Sequence, residues 1–365
     1  MKRWFLFISV FTWCTLLYSQ EYSIIHNGLT RTYRLHLPAD YTTSNHYPLV
    51  INMHGMGSNA WEQEIYTGFN QVSDTGGFIV VYPNGVNNLW NVSSTGGVDD
   101  VGFISALIDT LDALHSTDLS RVYATGMSMG GFMSYRLACE LSDRIVAIAS
   151  VTGLQAFYPC NPGRPVPVLQ MHGTADGVVP YSGVASTIAH WVNHNNCPTT
   201  PVIIDLPDID TTDNSTVTLS YYYPCDDSTE VKLYTINGGG HTWPGANIII
   251  GVTNQDIHAS SEIWNFFRKY TLEGTSSLAE KNAEDAIHVS IYPNPVSDFA
   301  VIETVGRYTG QAVMKVYDIS GRIHRHERIQ IPGRYLFERN NLPGGVYVIK
   351  VESGFNLYSK MFIIN

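Results

Sequence analysis

The chain of 365 residues is long enough for one large hydrophobic core and a second, smaller domain. A net charge of −11, with only 15% charged residues and no basic cluster, excludes nucleic acid and anionic membrane surfaces as expected partners. With no close His/Cys cluster, neither a metal nor an organic cofactor is expected.

Met1-Lys2-Arg3, the apolar run Trp4–Leu17 and the polar Tyr18-Ser19-Gln20 form a positive head and a hydrophobic stretch too short for a comfortable membrane span. This predicts a signal peptide over residues 1–20, cleaved near Gln20, and export. Bulky Phe11-Thr12-Trp13 ahead of Cys14 does not fit a lipobox. The mature chain keeps Cys139, Cys160, Cys197 and Cys225, an even count that predicts disulfides in an oxidising compartment. Four cysteines allow three pairings; we favour the two local ones, Cys139–Cys160 and Cys197–Cys225. Each closes a loop of roughly 20–30 residues and stabilises by about 3–4 kcal/mol on the chain-entropy model.

Asn27-Gly28 between strand-like runs predicts a hairpin over 21–38. The apolar run 48–53 stops at His54-Gly55-Met56-Gly57; a helix is expected over 65–72 and a buried strand over 78–83. Val101, Ile104, Leu107, Ile108 and Leu111 recur at helical spacing within 99–115. Strand 121–124, helix 132–139, strands 145–149 and 166–171 and helix 184–193 follow. The acidic stretch 205–214 is read as a solvated loop, because Asp208 and Asp210 lack the glycine and glutamate of a calcium loop. Strands over 217–223 and 230–236 and a closing helix over 260–270 complete the first unit. Alternating strands and helices give an α/β class, a doubly wound, mostly parallel sheet covered on both faces. At Thr271 composition shifts to Gly, Ser, Ala and charge, which predicts a linker over 271–287. Short alternating runs at 289–292, 299–303, 312–317, 334–337, 346–351 and 357–364 predict a small all-β sandwich over 288–365.

Gly126-Met127-Ser128-Met129-Gly130 reads as G-x-S-x-G between a strand and a helix, a turn that lifts a serine hydroxyl clear of the backbone. A serine needs a base, and in a doubly wound hydrolase the partners follow in the order Asp, then His. Asp176 follows the strand ending at Met171, in His172-Gly173-Thr174-Ala175-Asp176; His241 follows the last core strand, in Gly238-Gly239-Gly240-His241. Strand carboxyl ends are where such sheets hold ligands. Ser128, Asp176 and His241 are therefore the expected nucleophile, orienting acid and base. The backbone amides of Met129 and Met56 are the expected oxyanion donors. His54 and His172 are assigned supporting, not catalytic, roles.

Residues 28–270 resemble the secreted esterase group that spans feruloyl and acetylxylan esterases (carbohydrate esterase family 1) and polyhydroxybutyrate depolymerases. The resemblance is carried by His54-Gly55-Met56, Asp99-Asp100-Val101-Gly102-Phe103, Tyr123–Gly131, His172–Asp176 and Gly239–Gly245. It implies an α/β-hydrolase fold, the same triad and oxyanion amides, and Trp243 in the substrate groove. Residues 288–365 resemble the type A sorting domain of type IX secretion, through Ile291-Tyr292-Pro293-Asn294-Pro295, Val316–Gly321 and Leu342–Tyr347. That implies an outer-membrane secretion machinery as partner and a secreted or cell-surface location.

The expected function is a serine carboxylesterase acting through an acyl-enzyme on feruloyl or acetyl esters of plant polysaccharide. Trp90, Trp243 and Tyr82 are expected to form an aromatic wall for the acyl group. Alternatives are a polyhydroxyalkanoate depolymerase and, in another class, an inactive surface-binding protein on a hydrolase fold. A peptidase on this fold usually carries an extra propeller or cap, for which there is no room.

Overall fold

The computed structural model describes residues 20–93, 96–272, 274–275, 288–292, 294–305, 310–318, 322–353 and 356–364. The predicted signal peptide, apart from Gln20, and the predicted linker beyond Thr275 lie outside the described residues.

Ten strands form one sheet: β1 (Gln20–His26), β2 (Leu29–His36), β3 (Tyr47–Met53), β4 (Ile79–Pro83), β5 (Thr117–Met127), β6 (Ala147–Val151), β7 (Val168–Gly173), β8 (Val202–Asp205), β9 (Thr216–Tyr222) and β10 (Val231–Asn237). Their spatial order is β1-β2-β4-β3-β5-β6-β7-β10-β9-β8. The pairs along β4-β3-β5-β6-β7-β10 are parallel, and an antiparallel pair flanks each side. Residues of β3, β4, β6 and β7 are buried throughout, as a sheet covered on both faces requires. Helices α1 (Ala60–Thr67), α2 (Phe69–Gly76), α3 (Asp100–His115), α4 (Met129–Glu140), α5 (Val184–His194) and α6 (Ala259–Phe267) supply the cover. One core joins Phe103, Leu107, Leu137 and Trp191 of α3, α4 and α5 to the sheet; the other joins Phe69, Trp264 and Phe267 of α2 and α6. Trp264 stacks on Phe78 at 4.0 Å, and Phe267 on Tyr123 at 4.8 Å.

Several elements depart from expectation. The helix predicted over 65–72 is two helices, because Gly68 adopts φ +60, sends its N–H to the Glu64 carbonyl and restarts the chain as α2. α6 ends at Phe267, and a small ribbon follows, β11 (Tyr270–Thr271) against β12 (Gly274–Thr275). The first residues of the predicted linker are thus tied to the body, with the Leu272 amide bonded to the Ser120 carbonyl. β8 was not expected, since its four residues are all exposed on a sheet edge and show no alternation.

Both favoured disulfides form, Cys139–Cys160 across 21 residues and Cys197–Cys225 across 28. The first joins the end of α4 to the loop before β7; the second joins the chain after α5 to the loop after β9.

A buried charge fastens the chain just after α6. Glu230 is 2% exposed and lies 2.7 Å from Lys269 and 3.5 Å from Lys232. Burial alone pushes its carboxyl up, but the two ammonium groups outweigh that and hold it down at about 2. Because the folded value lies below the unfolded one, its stabilisation is complete above about pH 4.5 and is lost as pH falls towards 2. At 1.36 kcal/mol per unit this is roughly 3 kcal/mol. Urea midpoints of wild type and Glu230→Gln should therefore differ most near neutrality and converge below pH 3; a constant gap would contradict the coupling.

The C-terminal strands are β13 (His288–Tyr292), β14 (Phe299–Val305), β15 (Gly310–Asp318), β16 (Ile323–Ile331), β17 (Gly333–Glu338), β18 (Gly345–Ser353) and β19 (Asn356–Ile364). They form antiparallel sheets β13-β14-β17 and β16-β15-β18-β19 around Ile302, Met314, Val316, Ile349 and Phe362. β16 was not expected, because His324 to Arg328 place charge where a strand pattern would show apolar alternation, on an edge strand.

Candidate functional site

Ser128 sits between β5 and α4 at φ 53 and ψ −119, a conformation that costs a non-glycine residue energy and is held here by surrounding bonds. Its amide donates to the Val151 carbonyl at 2.8 Å, and its carbonyl accepts from Phe132 at 3.0 Å. A Cβ on Gly126 would lie 2.5 Å from the Met53 oxygen, and one on Gly130 only 2.0 Å from it. The turn can press α4 against the end of β3 only because both are glycine. The amide of Met129 opens the helix, among its unpaired N-terminal donors.

β7 and β10 are parallel neighbours in register, Gly173 opposite Ile236, so the loops after them leave the sheet side by side. They are laced together: the Thr174 amide donates to Ile236 at 2.9 Å and the Ala175 amide to Gly239 at 2.9 Å. The Asp176 side chain is fully buried. Its Oδ1 accepts from the amides of Val178 and Val179, each at 2.8 Å, and its Oδ2 accepts from His241 Nδ1 at 2.7 Å. Donation from Nδ1 leaves the His241 Nε2 lone pair available as a base. Ser128 and His241 line the same cleft, of about 410 Å³.

The loop after β3 lies along the nucleophile: a Cβ on Gly55 would sit 3.4 Å from the Ser128 Cβ. His54 is buried beneath it. Its Nδ1 donates to the Gly55 carbonyl at 2.7 Å, and its Nε2 accepts from the Gly85 amide at 3.0 Å. Burial pushes the His54 pKa down, which favours this neutral tautomer. Since the peptide is trans, a Gly55 carbonyl turned towards the ring points the Met56 amide the opposite way.

Asp99 caps α3 through the Gly102 amide at 2.8 Å. Asp100 is buried, 2.7 Å from Arg31 and from the Asn91 amide. This motif is scaffold.

The aromatic wall expected of Trp90, Trp243 and Tyr82 is corrected by the structure: all three are core residues, 3%, 1% and 0% exposed, and none lines the cleft. Each polar end is satisfied internally, Trp90 Nε1 on the His54 carbonyl, Trp243 Nε1 on Ser260 and the Tyr82 hydroxyl on Asn70. Large aromatics with reachable partners stabilise more inside than at a rim. The walls instead include Trp61, Ile65 and Tyr66 of α1 together with Ile248 and Ile250. Trp61 and Ile65 are 53% and 48% exposed. The available signals were an i, i+4 apolar pair on the open face of a short helix and three consecutive isoleucines soon after His241.

Residues 31–159 match the family described as Esterase PHB depolymerase, and residues 290–365 match the Secretion system C-terminal sorting domain. The chain is 30% identical to the "Probable feruloyl esterase C" of Aspergillus niger over 251 residues, 67% of this chain and 86% of that one. It is 28% identical to the "Bifunctional acetylxylan esterase/xylanase XynS20E" of Neocallimastix patriciarum over 248 residues, spanning 67% of this chain but 34% of that enzyme. An acetyl xylan esterase structure from Aspergillus awamori superposes with TM-score 0.51 at 17% identity, over 68% of this chain and 100% of that one, which supports the fold. The C-terminal match indicates export to the cell surface or medium by type IX secretion. The chain belongs to the polyhydroxybutyrate depolymerase and feruloyl esterase group of α/β-hydrolase esterases, and it ends in a type IX secretion sorting domain.

Proposed function

We propose that this protein is a secreted serine carboxylesterase that releases hydroxycinnamoyl or acetyl groups from plant polysaccharide through an acyl-enzyme. The observation that carries the reading is the 2.7 Å contact of Asp176 with His241, whose imidazole shares a cleft with a serine on a strained elbow. Ser128 Oγ attacks the ester carbon as His241 Nε2 takes its proton, and Asp176 stabilises the imidazolium. The amides of Met129 and Met56 receive the oxyanion, each contributing roughly 10²–10³ in turnover. His241 then protonates the leaving alcohol, and a water, activated in the same way, hydrolyses the acyl-enzyme.

The cleft walls favour a flat apolar acyl group over acetyl, since Trp61, Ile65, Ile248 and Ile250 offer mainly apolar contact area. Loss of such an aromatic contact costs about 1.5–3 kcal/mol, or roughly 10–100-fold. Trp61→Ala should lower kcat/KM for methyl ferulate by at least about tenfold while changing that for p-nitrophenyl acetate by less than about threefold. Equal losses on both substrates would remove α1 from the acyl site. A polyester-depolymerase reading is favoured by the exposed apolar Ile248, Ile249 and Ile250 beside the cleft. Clearing of a polyhydroxybutyrate emulsion without ferulate release from feruloylated arabinoxylan would establish it instead.

A further inference from the structure

We propose that His172 is a positioning residue for this reaction: as the neutral Nε2–H tautomer set by Gln170, it holds the loop 176–180 closed around Asp176. The inference rests on the serine-esterase reading above. Gln170, His172 and their partners form a buried chain behind the site. The Gln170 Oε1 accepts from the Tyr135 hydroxyl at 2.7 Å, and its Nε2 donates to the Gly153 carbonyl at 2.9 Å. A flipped amide would set oxygen against the Gly153 oxygen, so the orientation is determined. The same nitrogen lies 3.1 Å from His172 Nδ1, which must therefore accept, leaving the ring proton on Nε2. That proton goes to the Val179 carbonyl at 2.8 Å, with Asp176 Oδ2 farther off at 3.4 Å.

The geometry divides labour around one carboxylate. The Val178 and Val179 amides hold Oδ1, His241 takes Oδ2, and His172 anchors the carbonyl of the residue whose amide grips Oδ1. Without that anchor the loop can open and Oδ2 can turn away from His241. The groups facing His172 are Asp176 on its own loop, His241 on the facing loop, Tyr181 edge-on at 5.9 Å, and Tyr135 of α4 through Gln170. Burial pushes the His172 pKa down, and a cationic His241 pushes it further the same way, against the Val179 bond and Asp176. The charge of Asp176 is thereby left for the His241 imidazolium.

Three variants of the full-length chain test this, with p-nitrophenyl acetate as substrate. His172→Leu removes the donor; kcat should fall about 10–100-fold with KM within about threefold. His172→Gln brings an amide N–H to the Nε2 position and should restore kcat to within about fivefold of wild type. Gln170→Glu presents a carboxylate to Nδ1 and draws a second proton onto His172. A cation beside Asp176 should then shift the acidic limb of the kcat/KM profile down by about one pH unit. A His172→Leu enzyme with kcat within threefold of wild type overturns the proposal. If that variant does not fold, an unmoved acidic limb in folded Gln170→Glu overturns it equally. Fluorophosphonate labelling of wild-type Ser128 separates the two levels. No labelling refutes the esterase reading, whereas labelling that is equally fast in wild type and His172→Leu refutes the positioning role alone.

Discussion

Ser128→Ala is expected to lower ester turnover by on the order of 10⁶, to the residual rate that binding and oxyanion donors sustain alone. The size follows from the triad acting as a unit: without the hydroxyl there is no acyl-enzyme, and His241 has nothing to deprotonate but water. Folding should survive, because Ser128 is held by its backbone, through Val151 and Phe132, with no side-chain cap bond to lose. The left-handed φ of 53 is strained for serine and alanine alike, so Tm should move by at most a few degrees. Initial rates on p-nitrophenyl acetate, with a thermal melt as control, decide it. A rate within tenfold of wild type would remove Ser128 from the chemistry.

Asp176→Asn should cost about 10³–10⁴ in kcat through a change of tautomer alone. The Val178 and Val179 amides, each 2.8 Å from Oδ1, demand an acceptor there. The asparagine oxygen must take that place, which turns its NH₂ towards His241 Nδ1, now 2.7 Å from Oδ2. Two donors cannot face each other, so His241 moves its proton to Nε2 and loses the lone pair it needs as a base. Asparagine keeps the loop bonds, so a large kinetic loss should accompany a small change in Tm. A loss under about tenfold would mean that the carboxylate charge and its tautomer control are dispensable.

Legibility differed by element for physical reasons. β4 is a continuous apolar run, and β3, β6 and β7 are interrupted only by Asn52, by Ser150 and by Gln170 with His172; all four could be read directly, as could the Asn27-Gly28 hairpin, whose two residues have φ of 50 and 77. β8 and β16 escaped because an edge strand is specified by the partner it pairs with rather than by its own alternation. The Gly68 break between α1 and α2 was hidden because a glycine at a left-handed cap resembles one tolerated within a helix. Among site residues, Asp176 and His241 could be placed because each follows a strand's carboxyl end, and the pairing of β7 with β10 brings those ends together. The aromatic wall could not. Trp90, Trp243 and Tyr82 lie near the motifs in sequence, but their side chains turn into the core.

The order of residues alone determined what is local: the G-x-S-x-G turn, the chain order of Ser128, Asp176 and His241 after strand ends, and the C-terminal sorting pattern; it favoured the two local disulfides among three pairings, and the fold decided them. Backbone conformation and strand-end chemistry depend on near neighbours, and a single chain displays those. Which apolar side chains line the cleft and which fill the interior was decided only in three dimensions. So was the direction of every proton along Tyr135, Gln170, His172 and Val179. Burial and hydrogen-bond direction are properties of residues brought together from distant positions, and no local pattern encodes them.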